Sequence, residues 1–146
     1  MSVSKMDATK FYLPGDITQA QANQVIEAAV KKAVENNLLM NIAIVDAGGN
    51  LKAFVRMDGA FLASIDIAIK KAKTARSLNM STHELSKLAA PGQELYGIEA
   101  TNGGMAIFGG GELLKNKEGY IIGAIGVSGG SVEEDMSVAQ AGAAIV

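Results

Sequence analysis

Apolar residues recur at helical spacing in several stretches of the chain, and alternate or run together between them. The first stretch opens at Ile17-Thr18 with Gln21 three residues on. Thr and Gln at that spacing can each satisfy the other's backbone N–H, with Ile17 as a hydrophobic staple. Ala22, Val25, Ile26, Ala29, Ala33 and Val34 follow on one face before Asn36-Asn37, which predicts a helix. Asn41–Asp46 (NIAIVD) and Leu51–Asp58 (LKAFVRMD) flank Ala47-Gly48-Gly49-Asn50. Gly-Gly-Asn supplies the positive φ of a tight turn, so these runs read as a hairpin. In its second strand Leu51, Ala53 and Val55 point one way, and Lys52, Phe54 and Arg56 the other.

Helical spacing returns over Leu62–Leu78, with Ile65, Ala68, Ile69, Ala72 and Ala75 on one stripe. Ser81 and Glu84 open a short helix that Pro91-Gly92 stops. After a loop, Met105–Phe108 reads as a brief strand, followed by Gly109-Gly110-Gly111 and a short run at Leu113-Leu114. Asn116–Gly119 turns into Tyr120–Val127, and Ser131 with Glu134 caps a final helix. The predicted order is α-β-β-α-α-β-β-β-α. It describes an α+β fold with a five-stranded, mostly antiparallel sheet flanked by helices. Residues 1–16, which include Pro14-Gly15, form an N-terminal arm, and residues 17–146 a single domain.

Composition narrows the function. Hydrophobic residues are 49% of the 146 and charged residues 19%, too apolar for a disordered chain. Lys+Arg 13 against Asp+Glu 15 leaves no cationic excess for nucleic acid. The absence of Cys removes disulfides and thiolate chemistry, and suits a reducing compartment. Neither a secretory h-region nor a run of about 20 apolar residues is present, so no membrane span is expected and the location expected is cytoplasmic.

The single His, His83, lies in His-Glu-Leu-Ser-Lys, which lacks the second His of a zinc motif. One imidazole can still be an axial ligand to haem iron. Met57, Met80, Met105 and Met136 default to core filling. The glycine-rich run Gly123–Gly130 could cradle an anion. The acidic residues Glu133, Glu134 and Asp135 in the next helical turn favour capping instead. Arg56, Asp58, Lys71, Lys73 and Arg76 are the one concentrated charged set, suited either to solvent or to a carboxylate-bearing ligand.

Together, IAIVDAGGNLKAFVRMDGA (residues 42–60), SIDIAIKKAKTAR (64–76), Pro91-Gly92, the triple glycine and IIGAIGVSGG followed by EED and AQAG resemble the GlcG/HbpS family of small haem-binding-type proteins. The same domain occurs in propanediol-utilisation corrinoid adenosyltransferases. The resemblance implies a five-stranded sheet in a profilin-like three-layer arrangement and a homo-oligomer, often an octamer. It also implies a haem or corrinoid cofactor and a setting in glycerol, diol or glycolate metabolism. Many relatives carry His where this chain has Asn50. Recurring polar positions of the family that survive here are Asp46, Arg56, Asp58, Lys71, Thr74, Ser128 and Asp135. The reading this supports is an oligomeric accessory protein binding a tetrapyrrole, with Arg56, Asp58, Lys71, Arg76 and Ser128 as ligand-binding residues and His83 as axial ligand. A ligand-free assembly subunit and an enzyme acting on a small hydroxy-acid, diol or aldehyde are the alternatives.

Overall fold

A computed structural model describes Asp7 and residues 10–146. Part of the expected arm, residues 1–6 and 8–9, lies outside the described residues. The elements run α1 (Gln19–Glu35), β1 (Asn41–Asp46), β2 (Leu51–Arg56), α2 (Ala63–Leu78), α3 (Thr82–Leu88), β3 (Gly111–Lys115), β4 (Ile121–Ser128) and α4 (Val132–Ala143), with a 3-10 turn at Ile98–Ala100.

Local chemistry places the helix ends. Thr18 and Gln21 form a reciprocal capping box on α1, and Ser131 and Glu134 do so on α4. Asn79 closes α2 in the left-handed region at φ 56°, a conformation that asparagine tolerates. The hairpin turns are closed by Gly49 at φ 81° and Gly119 at φ 89°.

The sheet has the order β2-β1-β4-β3, with every neighbour antiparallel. Ile42, Ile44, Ile125 and Val127 project from one face into a core with Val25, Ala29 and Val138 of α1 and α4. Ala43, Val45 and Ala124 project from the other face onto Ala68, Ala72 and Ala75 of α2. The second layer is built almost wholly from small side chains, so α2 lies close to the sheet.

The fold is α+β with helices flanking the sheet, but the sheet has four strands where five were expected, and the order is α-β-β-α-α-β-β-α. The missing strand is Met105–Phe108. Gly103, Gly104 and Gly110 take positive φ on either side of it, which breaks extended geometry. Its amides are satisfied elsewhere: Ala106 N–H donates to Thr74 Oγ1 at 3.0 Å and Met105 N–H to the Glu99 carbonyl at 3.0 Å. The adjoining Gly111 N–H goes to Thr82 Oγ1 at 2.8 Å. With these donors engaged by α2, α3 and the 3-10 turn, the segment has no ladder to join.

Candidate functional site

Lys71 stands on α2 three residues after Ala68 and four before Ala75, within the buried stripe. Its side chain is wholly buried. The ammonium donates to Asp135 Oδ2 at 2.9 Å and to the Val127 carbonyl at 2.8 Å, and the Phe108 ring centroid lies 4.9 Å away. Asp135 comes from the first turn of α4, where its Oδ1 accepts Gly130 N–H at 2.9 Å. The pair therefore joins α2, on one side of the sheet, to α4 on the other. Burial pushes the Lys71 ammonium below its ordinary range, opposed by the hydrogen bond and charge of Asp135. Burial likewise pushes the Asp135 carboxyl up, opposed by Lys71 and by the backbone N–H groups of Gly130 and Gly129. Desolvation leads on both sides, the mark of a pair held inside the protein.

One residue before the end of β4, Val127 offers the carbonyl that Lys71 uses, and Ser128 follows. Ser128 Oγ meets Ser64 Oγ of α2 at 3.0 Å in a buried contact. Ser128 pairs in register with Asn41, and Asn41 with Arg56. Three of the predicted residues, Lys71, Ser128 and Arg56, thus gather at one end of the sheet. The others do not join them. Asp58 is exposed in the segment after β2. Arg76 donates from Nε to the Ala47 carbonyl at 2.6 Å and from a terminal nitrogen to Asn79 Oδ1, bracing the first hairpin. His83 is half-buried on α3.

Asn41, Ser64 and Phe108 were not singled out by the sequence reading. An asparagine heading the otherwise apolar NIAIVD run was the available signal for Asn41. Asp135 is one of the acidic residues assigned to capping, and also one of the family's recurring polar positions. Its spacing, three before Val138 and four before Ala139, places it on the buried face of α4.

At the opposite end of the same strands a cleft of about 590 Å³ lies between residues 13–16, the first hairpin and the start of β4. Its walls include Leu13, Pro14, Ala47, Tyr120 and Ile121, with Asn50 at the turn. Asp46 Oδ1 accepts Gly48 and Asn50 N–H, each at 2.9 Å, and Asp16 Oδ1 accepts Ala47 N–H at 2.8 Å. One oxygen of each carboxylate thereby shapes the loop. A flat apolar ring with one axial donor is the chemistry to test against this cleft. The walls suit the ring, and the Tyr120 phenol lines the cleft as a group able to serve as an axial ligand to haem iron. His83 is not among those lining residues.

A second cleft, about 540 Å³, runs beside β3, α3 and the end of α4, with Glu84 and Glu112 in its wall. Burial, and then the charge of Glu84, hold the Glu112 carboxyl above its ordinary value of 4.5. A carboxyl raised on folding contributes stability below its unfolded value and loses it as pH rises through the folded one. Glu112→Gln is therefore expected to raise Tm at about pH 8 and to leave it unchanged at about pH 4, as measured by thermal denaturation.

Residues 17–144 match the model of the family described as haem degrading protein HbpS-like. The chain belongs to that family. Within the HbpS-like family it is 43% identical over 124 residues to an uncharacterised 15.0 kDa protein of the dhaT-dhaS intergenic region of Citrobacter freundii, covering 85% of this chain and 87% of that one. It is 42% identical over 127 residues to the corrinoid adenosyltransferase PduO of the same organism, covering 86% of this chain but only 38% of the enzyme. The crystal structure of a PduOC:heme complex superposes with a TM-score of 0.85 at 40% identity, covering 90% of this chain and 95% of that one. Among the described residues no helix is long and apolar enough to cross a membrane.

Proposed function

We propose that this protein is an accessory protein that binds haem or a related tetrapyrrole such as a corrinoid, with a role in diol, glycerol or glycolate metabolism in the cytoplasm. The observation that carries the reading is the apolar cleft between residues 13–16, the first hairpin and Tyr120, a shape and lining suited to a macrocycle. Its likeness to a domain crystallised with haem, and to a segment of a corrinoid-handling enzyme, supports the same ligand class. Asn50 offers no imidazole there, so Tyr120 is the residue assigned to the iron, ahead of His83.

The protein acts as a homo-oligomer in this reading, with eight copies of the 15.1 kDa chain as the expected assembly. Leu39, Phe61 and Leu62 support it. They are 51%, 68% and 72% exposed, and Leu39 lies against Gly59 in the segment that carries Phe61 and Leu62. Apolar surface of this kind marks association.

Hemin titration with size-exclusion chromatography and light scattering tests both parts. A Soret band co-eluting with an oligomer is expected, and Tyr120→Phe is expected to shift that band or remove it. A flat titration overturns the tetrapyrrole reading, and a monomeric peak overturns the assembly.

A further inference from the structure

Arg56, Asn41 and Ser128 are directly paired across β2, β1 and β4, so their side chains stand in a row on one face of the sheet. That face lies under α2, because Ser128 meets Ser64 there. Asn41 is fully buried. Its Nδ2 donates to the Phe61 carbonyl at 2.9 Å, whereas its Oδ1 is buried without a hydrogen-bond partner. A buried carbonyl oxygen lacking a donor is costly, and such groups in native proteins ordinarily face a partner.

Beside it, Arg56 is exposed and forms no ion pair among the described residues. An unused acceptor and an unused guanidinium, on directly opposed residues, have complementary needs. The acceptor requires a hydroxyl or N–H, and the guanidinium an anion that it can hold through two parallel hydrogen bonds. A small molecule with a hydroxyl next to a carboxylate meets both.

We propose that Asn41 and Arg56 form a binding site for a small hydroxycarboxylate, whose hydroxyl donates to Asn41 Oδ1 while its carboxylate lies on Arg56. The Ser64–Ser128 hydroxyl pair lies beside them on the same face. Residues 57–62 close the site, since the Phe61 carbonyl holds the Asn41 amide. Gly59 at φ 84° gives this segment its turn, and the ligand enters from the open side, where Arg56 is exposed. The site lies at the opposite end of the strands from the tetrapyrrole cleft, and its test does not depend on haem.

Isothermal titration and thermal shift on the full chain, with lactate beside propionate, test the assignment, because the two acids differ by the hydroxyl alone. Lactate is expected to bind and to raise Tm, with propionate at least about tenfold weaker for want of one hydrogen bond. Arg56→Gln, at an exposed position that leaves the fold intact, is expected to weaken both acids. Asn41→Leu is expected to abolish the preference for lactate. The proposal is overturned if lactate does not bind at millimolar concentration, which would leave the Arg56 guanidinium or an ordered water as the partner of Asn41. Equal binding of propionate and lactate, or lactate affinity unchanged in Arg56→Gln, overturns it as well.

Discussion

Lys71→Met is expected to destabilise the protein by about 3–5 kcal/mol, the cost of leaving one member of a buried ion pair without the other. Methionine fills much of the same volume, so the loss is electrostatic. The Asp135 carboxylate would remain with only the backbone donors of Gly130 and Gly129, in a site where its side chain is 4% exposed. At roughly 2–4 °C per kcal/mol for a chain of this size, Tm is expected to fall by about 10 °C. The sign of the pH dependence follows from the same carboxylate. Without Lys71 the folded-state pKa of Asp135 rises further, so the penalty is full at neutral pH and shrinks as the carboxyl takes up a proton in acid. Asp135→Asn added to Lys71→Met removes the stranded charge while keeping an oxygen for Gly130 N–H. The double variant is expected to recover most of the loss, and a double-mutant cycle measures the coupling. A single-variant loss below about 1 kcal/mol would show that the pair is solvated in solution.

The elements that could be read from the chain are those whose determinants lie within a few residues. Thr18–Gln21 and Ser131–Glu134 announce their helices because a capping box is a three-residue device. Ala47–Asn50 announces its hairpin because the glycine conformation is local. Met105–Phe108 resembles a strand by the same local measure, yet the groups that take its amides include Thr74, some thirty residues earlier, and no pattern within the segment records that. The site shows the same division. Lys71 falls in a run with Lys70 and Lys73, which reads as a solvated face or a contact for a carboxylate-bearing ligand. Helical geometry turns Lys71 alone into the alanine stripe, and its partner lies 64 residues away. Arg56 is marked by the concentrated charged set and Ser128 by the family resemblance, but only strand register shows that Asn41 stands between them. Distance in sequence, rather than any weakness of pattern, separates what was legible from what was not.

Gly126→Ala is expected to cost about 3 kcal/mol, at the upper end of the range for adding one methyl to a packed interior. A Cβ at this position would run into the Ala68 carbonyl oxygen and come within 2.6 Å of Ala72 N. Both are backbone atoms of a hydrogen-bonded helix. No side chain can rotate to make room, so α2 itself would have to move off β4. The small residues Ala43, Ala68, Ala72, Ala75 and Ala124 fill that layer and depend on the close approach. Lifting α2 would therefore loosen the whole face. It would also draw the Lys71 nitrogen away from Asp135 and Ser64 away from Ser128, coupling a packing defect to both polar contacts at the end of the sheet. A fall in Tm of about 10 °C, with faster amide exchange concentrated in α2, is the expected signature. An unchanged Tm would mean that the helix rides higher on the sheet than the contacts of Gly126 allow, and that the alanine layer is not what sets its position.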